Sequence, residues 1–226
     1  GKLLPGKRVQ VTDAKGKATV YTAKNVILAT GGRAKPLPNV PIDGEKVIEY
    51  RKAMTLGQKP ASMVVIGAGA IGVEFAYVYN AMGTKVTIVE YMPRIVPVED
   101  PEVSKELERT FKKAGMDIKT GAEVTKVDTS GKGCVVTYKD KKGEQTIEAD
   151  VVLSAVGVQA NIENIGLEQT GIKTEKGKIV VDGVEFAMQN RDSLYIAKES
   201  KVVEFVSNSA EAPAKFYLVS YPAHRV

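Results

Sequence analysis

The sequence predicts an α/β fold with a doubly wound parallel sheet, on three observations. Residues 63–90, MVVIGAGAIGVEFAYVYNAMGTKVTIVE, read as strand, glycine turn, helix, strand and terminal acid. Residues 101–114 read as an amphipathic helix with a short strand behind it at 117–120. The apolar run 149–157 then returns as a buried strand that stops at Gly157. Strands that alternate with helical patterns build βαβ units, and βαβ units build a parallel sheet.

The elements follow in order. Strands at 8–12 and 18–22 flank a turn at 13–17, and an apolar strand at 25–29 ends in Thr30-Gly31-Gly32-Arg33. Pro36, Pro38 and Pro41, with Gly44 behind them, exclude a helix and make a linker, because proline lacks the N–H that a helix interior needs. A short helix at 48–58 leads to Met63-Val64-Val65-Ile66, a buried strand by its length and β-branching. The helix 70–82 closes at Gly83, the next strand covers 85–89, and Glu90 ends it. Pro93 and Pro97 break the loop that follows. In the helix 101–114, Val103, Leu107 and Phe111 fall about one turn apart and are expected to face inward. Gly115 stops that helix; short strands at 117–120 and 122–127 precede a meander of 133–138 and 145–148 around the turn 140–143.

The glycines carry the chemistry. Gly67 permits the tight turn out of the strand, Gly69 lets backbone N–H groups approach a phosphate, and Gly72 lets the helix pack on the strand. Ala70 and Ile71 open that helix, so its unpaired N–H groups and positive dipole end face a pyrophosphate. Glu90 stands about twenty residues on, where a carboxylate accepts hydrogen bonds from the adenosine ribose and repels a 2′-phosphate. A Rossmann-like site for NAD, favoured over NADP, is the expectation, with Arg94 placed to soften the preference. GxGxxG alone is a loose pattern; the flanking strand, helix, second strand and acid make it specific.

Composition excludes other classes. The 226 residues are 43% apolar and 26% charged, ordinary for a chain that buries a core. The net charge of +5 is spread out, with doublets only at Lys7-Arg8, Arg51-Lys52, Lys112-Lys113 and Lys141-Lys142, so it reads as solvated surface without a nucleic-acid partner. No apolar stretch approaches the roughly 18 residues of a membrane span, and no charged-then-apolar leader is present. A cytoplasmic location without membrane attachment is expected. The first residue is Gly1, consistent with a piece of something longer. Cys134 is the only cysteine, so no redox pair forms within the chain, and its place in an alternating strand suits a small buried hydrophobe. The only histidine, His224, has no companions at ligand spacing, so no metal site is expected.

Several segments together resemble the pyridine nucleotide-disulfide oxidoreductase family, and within it most closely the dihydrolipoamide dehydrogenases. They are NVILATGGRAKPLP at 25–38, the glycine segment at 64–90, RIVPVEDPEVSKELERTFKKAG at 94–115, GAEVTKVDTSGKGCVVTYKD at 121–140 and ADVVLSAVGVQANIENIGLE at 149–168. The resemblance covers about 1–181 and implies four regions. These are an FAD-domain fragment at 1–47 that includes Thr30 and Gly31, an NAD-binding domain at 48–158, a crossover segment at 159–182 and a β-rich tail at 183–226. It also implies that Gly67, Gly69, Ala70, Ile71, Gly72 and Glu90 hold NAD, with Gly157 closing the nicotinamide end. Glu74 matches the acid that faces the nicotinamide in the family; a helix-start charge favoured by the dipole is the alternative. FAD and a lipoyl-bearing acyltransferase are the cofactor and partner implied for the parent enzyme.

The departures matter. The family's FAD-binding glycine loop, paired redox cysteines and C-terminal domain with a His-Glu base have no counterpart here, and no Gly-Asp pair follows Asp182. No residue of the chain is therefore assigned a catalytic role, and the chain alone is expected to bind rather than to turn over. Residues 178–226 instead resemble part of the N-terminal cupin half of 5-keto-4-deoxyuronate isomerase, which suggests a chimera joined near 178–183, with strands at 178–181, 193–196, 202–207 and 215–220. Three functions stand open. The first is a fragment of a flavin-dependent dihydrolipoyl dehydrogenase that binds NAD for hydride transfer from reduced FAD. The second is a non-catalytic NAD(H)-binding module, and the third, from the tail, a 4-deoxy-5-hexulose-uronate ketol-isomerase.

Overall fold

The computed structural model describes residues 1–181 together with two further strands at 184–189 and 193–195. The chain opens with β1 (Lys2–Leu4), β2 (Arg8–Thr12) and β3 (Ala18–Thr22), an antiparallel meander in that order. β4 (Gly32–Ala34) and β5 (Val47–Ile48) follow, then α1 (Tyr50–Ala53), β6 (Ser62–Ile66), α2 (Ala70–Ala81), β7 (Lys85–Glu90) and α3 (Pro101–Lys113). β8 (Asp117–Thr120), β9 (Glu123–Asp128), β10 (Cys134–Asp140), β11 (Gly143–Ala149), β12 (Val151–Ser154) and β13 (Val158–Ala160) complete the central part. A 3-10 turn at Leu167–Gln169 precedes β14 (Thr174–Glu175), β15 (Lys178–Val181), β16 (Val184–Gln189) and β17 (Ser193–Tyr195), which pair in sequence order.

The centre is a parallel five-stranded sheet in the order β5-β12-β6-β7-β8. The chain winds outward from β6 through β7 to β8, then returns to the other side of β6 as β12, so the direction of winding reverses between β6 and β12. Both faces are apolar. In β6, Met63 and Val65 point to one core while Val64 and Ile66 point to another, the period of two that a strand imposes. The first face packs on Ala76 and Tyr79 of α2 and Phe111 of α3. The second is covered by the antiparallel sheet β11-β10-β9, through Val127, Cys134, Val136 and Tyr138, with Val40 buried in the same cluster. One layer of this α/β fold is thus a meander rather than helices.

Three readings of the sequence change. The helix expected over 48–58 is one turn, Tyr50–Ala53, because Ile48 is taken into the parallel sheet as part of β5, paired with Leu153. Residues 25–29 form no strand: none of the described strands lies beside them to complete a ladder, and Ile27 is 86% exposed. β-branched residues favour strands only where neighbours and burial complete the ladder. In α3, Val103 is 57% exposed and the inward row is Ser104, Leu107 and Phe111. Ser104 takes the place because its Oγ donates to the Ile95 carbonyl at 2.6 Å, which ties the helix to the preceding loop. β15 and β17 follow the expected strands, and β16 is a further strand that pairs between them. The strands expected at 202–207 and 215–220, and the isomerase-like reading of most of the tail, lie outside the described residues. No helix among the described residues is long and apolar enough to cross a membrane.

Candidate dinucleotide site

A cleft of about 570 Å³ opens at the carboxyl ends of β6, β7 and β12, on the seam where the winding reverses. Ligands of open α/β sheets bind at this place because the loops from neighbouring strands diverge there. One wall is the bend Ile66, Gly67 and Gly69; a second is Val89, Glu90, Tyr91 and Met92; a third is Ala155, Val156 and Gly157. Leu37, Pro38 and Asn39 cover one side, and residues 122–125 close another.

The bend is built from glycines for reasons that can be read from space. Gly67 has φ +98° and donates its N–H to the Val89 carbonyl; a Cβ there would lie 2.6 Å from the Ala155 carbonyl oxygen. A Cβ on Gly72 would run into the Gly67 carbonyl, so only glycine lets α2 sit this close to β6. Gly69 differs: its φ is −70°, and a Cβ would meet nothing within 4 Å, because the position opens on the cleft. Gly69 is also the N-cap of α2 and offers no side chain to the first-turn N–H groups. Those amides and the dipole end of a twelve-residue helix, without a side-chain cap, form a surface suited to an anion.

Glu90 is buried, 7% exposed, yet lines the cleft. Its Oε2 accepts from the Ala68 N–H at 2.5 Å and its Oε1 from the Met92 N–H at 2.7 Å. The carboxylate thus pins the glycine bend to the loop after β7 and keeps lone pairs for a further donor. Arg94 turns back on its own loop, donating to the Pro97 carbonyl at 2.8 Å, while its buried Nε has no partner among the described residues.

Of the residues picked out in the sequence, Gly67, Gly69, Glu90 and Gly157 share the cleft. Gly72 stands behind it, and Ala70 and Ile71 form the first turn of α2 with Ile71 packed on the core. Glu74 is exposed on α2 and does not line the cleft. Thr30 and Gly31 also lie away from it; their carbonyls accept from the Asn161 side chain and N–H at 3.1 and 2.9 Å. The sequence missed Leu37, Pro38 and Asn39, read as linker, and residues 122–125, read only as the start of a strand. The fingerprint carries no sign of them, since topology brings them to the strand ends.

Cys134 is fully buried, its Sγ 3.7 and 3.8 Å from the Lys46 and Asp150 carbonyls, and burial raises its thiol pKa. No cluster of three or more metal-ligating side chains exists among the described residues.

Known proteins extend the picture. The family profile described as pyridine nucleotide-disulphide oxidoreductase matches residues 2–197. A dihydrolipoyl dehydrogenase of Rhizobium etli is 45% identical over 172 residues, covering 76% of this chain and 36% of that protein. One from Chlorobaculum parvum is 38% identical over 213 residues, covering 94% of this chain and 45% of the relative. The crystal structure of LpdA from Mycobacterium tuberculosis superimposes with a TM-score of 0.68 at 30% identity, over 78% of this chain and 38% of that one. The chain therefore spans less than half the length of the relatives it matches. A profile match along most of the sequence, on a fold whose glycine bend and strand-end cleft suit a dinucleotide, establishes that the chain belongs to the pyridine nucleotide-disulphide oxidoreductase family.

Proposed function

We propose that this chain binds NAD(H) in the cleft at the carboxyl ends of β6, β7 and β12, as the nucleotide-binding part of a flavin-dependent dihydrolipoyl dehydrogenase. The observation that carries the reading is the contrast among three glycines: Gly67 and Gly72 exclude any side chain, while Gly69 leaves its Cβ position open on the cleft. A pyrophosphate fits against the first-turn amides of α2, where hydrogen bonds and dipole act together. Ala70 and Ile71 supply part of that turn, and Gly72 lets it approach. Glu90 accepts the adenosine ribose hydroxyls and repels a 2′-phosphate, which favours NAD over NADP. Gly157 and its neighbours flank the nicotinamide half, and Glu74 is the acid the family resemblance assigns to that end.

When bound, the nicotinamide supplies the hydride acceptor; the residues of this chain bind, orient and shield it. FAD in the parent enzyme is the hydride donor, and residues 1–47, with Thr30 and Gly31, are read as part of its domain. Residues 48–158 are read as the NAD domain, 159–182 as the crossover and 183–226 as a β-rich tail. The parent's partner is a lipoyl-bearing acyltransferase in the cytoplasm. A second reading is an NAD(H)-binding module without turnover, in which Cys134, buried away from the cleft, serves packing only. Titration calorimetry with NAD and NADP tests the binding, and an absorbance scan for flavin with an NAD-lipoamide assay separates the two readings. NAD binding tighter than NADP is expected; tighter NADP binding, or no heat with either, overturns the proposal.

A further inference from the structure

Two segments about 130 residues apart meet beside the cleft. β4 and β13 pair antiparallel, with Arg33 opposite Gln159. The ribbon is tied at both ends: Lys35 N–H donates to the Gly157 carbonyl at 2.9 Å, and Asn161 N–H donates to the Gly31 carbonyl at 2.9 Å. From one end the chain runs on to Leu37, Pro38 and Asn39; into the same end comes Ala155, Val156 and Gly157. Both are cleft walls, so the register of this short ribbon sets the distance between them. Three backbone pairs hold a two-stranded ribbon weakly.

The side chain of Arg33 adds what the backbone lacks. Its Nη2 donates to Glu163 Oε1 at 2.7 Å, and its Nη1 to Glu163 Oε2 at 3.0 Å and Asn161 Oδ1 at 2.8 Å. Gln159 Nε2 donates to Glu163 Oε1 at 3.1 Å, a further tie on the same carboxylate. The fork is bidentate and planar, a geometry that lysine cannot reproduce. Arg51 of α1 holds Arg33's own strand, β4, by donating to the Gly32 carbonyl at 2.6 Å.

We propose that Arg33, forked onto Glu163 and Asn161, is a positioning residue for the half of the dinucleotide that lies against Ala155, Val156 and Gly157. The inference rests on the dinucleotide reading above. With the pyrophosphate on the α2 bend and the adenosine ribose at Glu90, the remaining half extends toward β12, between the walls that this ribbon joins. The adenosine half lies on the β7 side and does not touch the ribbon. The Arg33–Glu163 pair is substantially exposed, with side chains 42% and 47% accessible, so its loss should leave the fold intact. Its effect should instead appear as selective loss of one half of the ligand.

The experiment compares NAD and AMP binding by calorimetry, on the full chain, for the wild type, Arg33→Ala, Arg33→Lys and Glu163→Gln, with amide hydrogen exchange on the same samples. Arg33→Ala and Glu163→Gln are expected to weaken NAD by about fivefold, the scale of coupling through a packed element, with AMP affinity unchanged and the chain still folded. Arg33→Lys falls between, and exchange at Lys35 and Asn161 quickens in Arg33→Ala. Unchanged NAD affinity in both variants, or equal weakening of NAD and AMP, overturns the positioning role. A wild type that binds neither nucleotide removes the dinucleotide reading and this role with it. Exchange at Lys35 and Asn161 unaltered by Arg33→Ala separately overturns the latch itself.

Discussion

The three glycines of the bend serve different physical ends, and substitution separates them. Gly72→Ala drives a methyl into the Gly67 carbonyl and should cost about 1–3 kcal/mol or more, as overpacking does; chemical denaturation measures it. Gly69→Ala adds its methyl to empty space in the cleft, so stability should change by less than about 0.5 kcal/mol. NAD affinity should nevertheless drop about tenfold, or roughly 1.4 kcal/mol. A Gly69→Ala chain that melts early, or binds unchanged, contradicts the assignment. These roles are legible in the sequence because their spacing is fixed by local geometry. What spacing does not reveal is that Glu90 spends two hydrogen bonds on the backbone of Ala68 and Met92, since that depends on how the loop after β7 folds back.

Elements were legible where their own residues decide them, and less so where neighbours do. α3 starts at Asp100, whose Oδ1 accepts from the Glu102 and Val103 N–H groups, with Pro101 in the first turn and Lys112 and Lys113 in the last. Asp100→Ala should therefore cost about 1 kcal/mol. Its inward face is another matter: spacing selects 103, 107 and 111 as readily as 104, 107 and 111, and hydropathy favours Val103 over Ser104. The loop before α3 decides for Ser104. Val103→Ala should be near neutral, while Phe111→Ala should cost about 3–5 kcal/mol. Equal losses in urea denaturation would contradict the burial described here. Residues 25–29 show the same limit, since an apolar run becomes a strand only when another strand lies beside it.

At the scale of the molecule, the central unit is a parallel sheet with one helical face and one meander face, and its cleft exists because winding reverses between β6 and β12. The parallel sheet follows from the alternation of elements; the meander's place on the second face, and the arrival of Leu37, Pro38 and Asn39 at the cleft, follow from tertiary packing that no local pattern encodes. Acid should loosen the surface ties first. The Arg33 hydrogen bonds hold the Glu163 carboxyl near about 2, below its ordinary 4.5, and hydrogen bonds from Ser130 and Lys126 hold Asp128 at about 2, below 3.8. Carboxyls depressed in the folded state stabilise it above their unfolded values and lose that effect as protons bind. The contribution of these two should be complete above about pH 4.5 and fade toward pH 2. Glu163→Gln should flatten part of that slope in denaturation midpoints taken between pH 5 and 2.5; an unchanged slope would contradict the tie. The central claim is that a dinucleotide pyrophosphate rests on the amides opening α2, and hydrogen exchange with and without NADH tests it most directly. The account predicts slowed exchange at Gly69, Ala70 and Ile71, and about tenfold more NADH needed for the same slowing in Gly69→Ala. Unaltered exchange at those amides in a folded, NADH-saturated sample would contradict it.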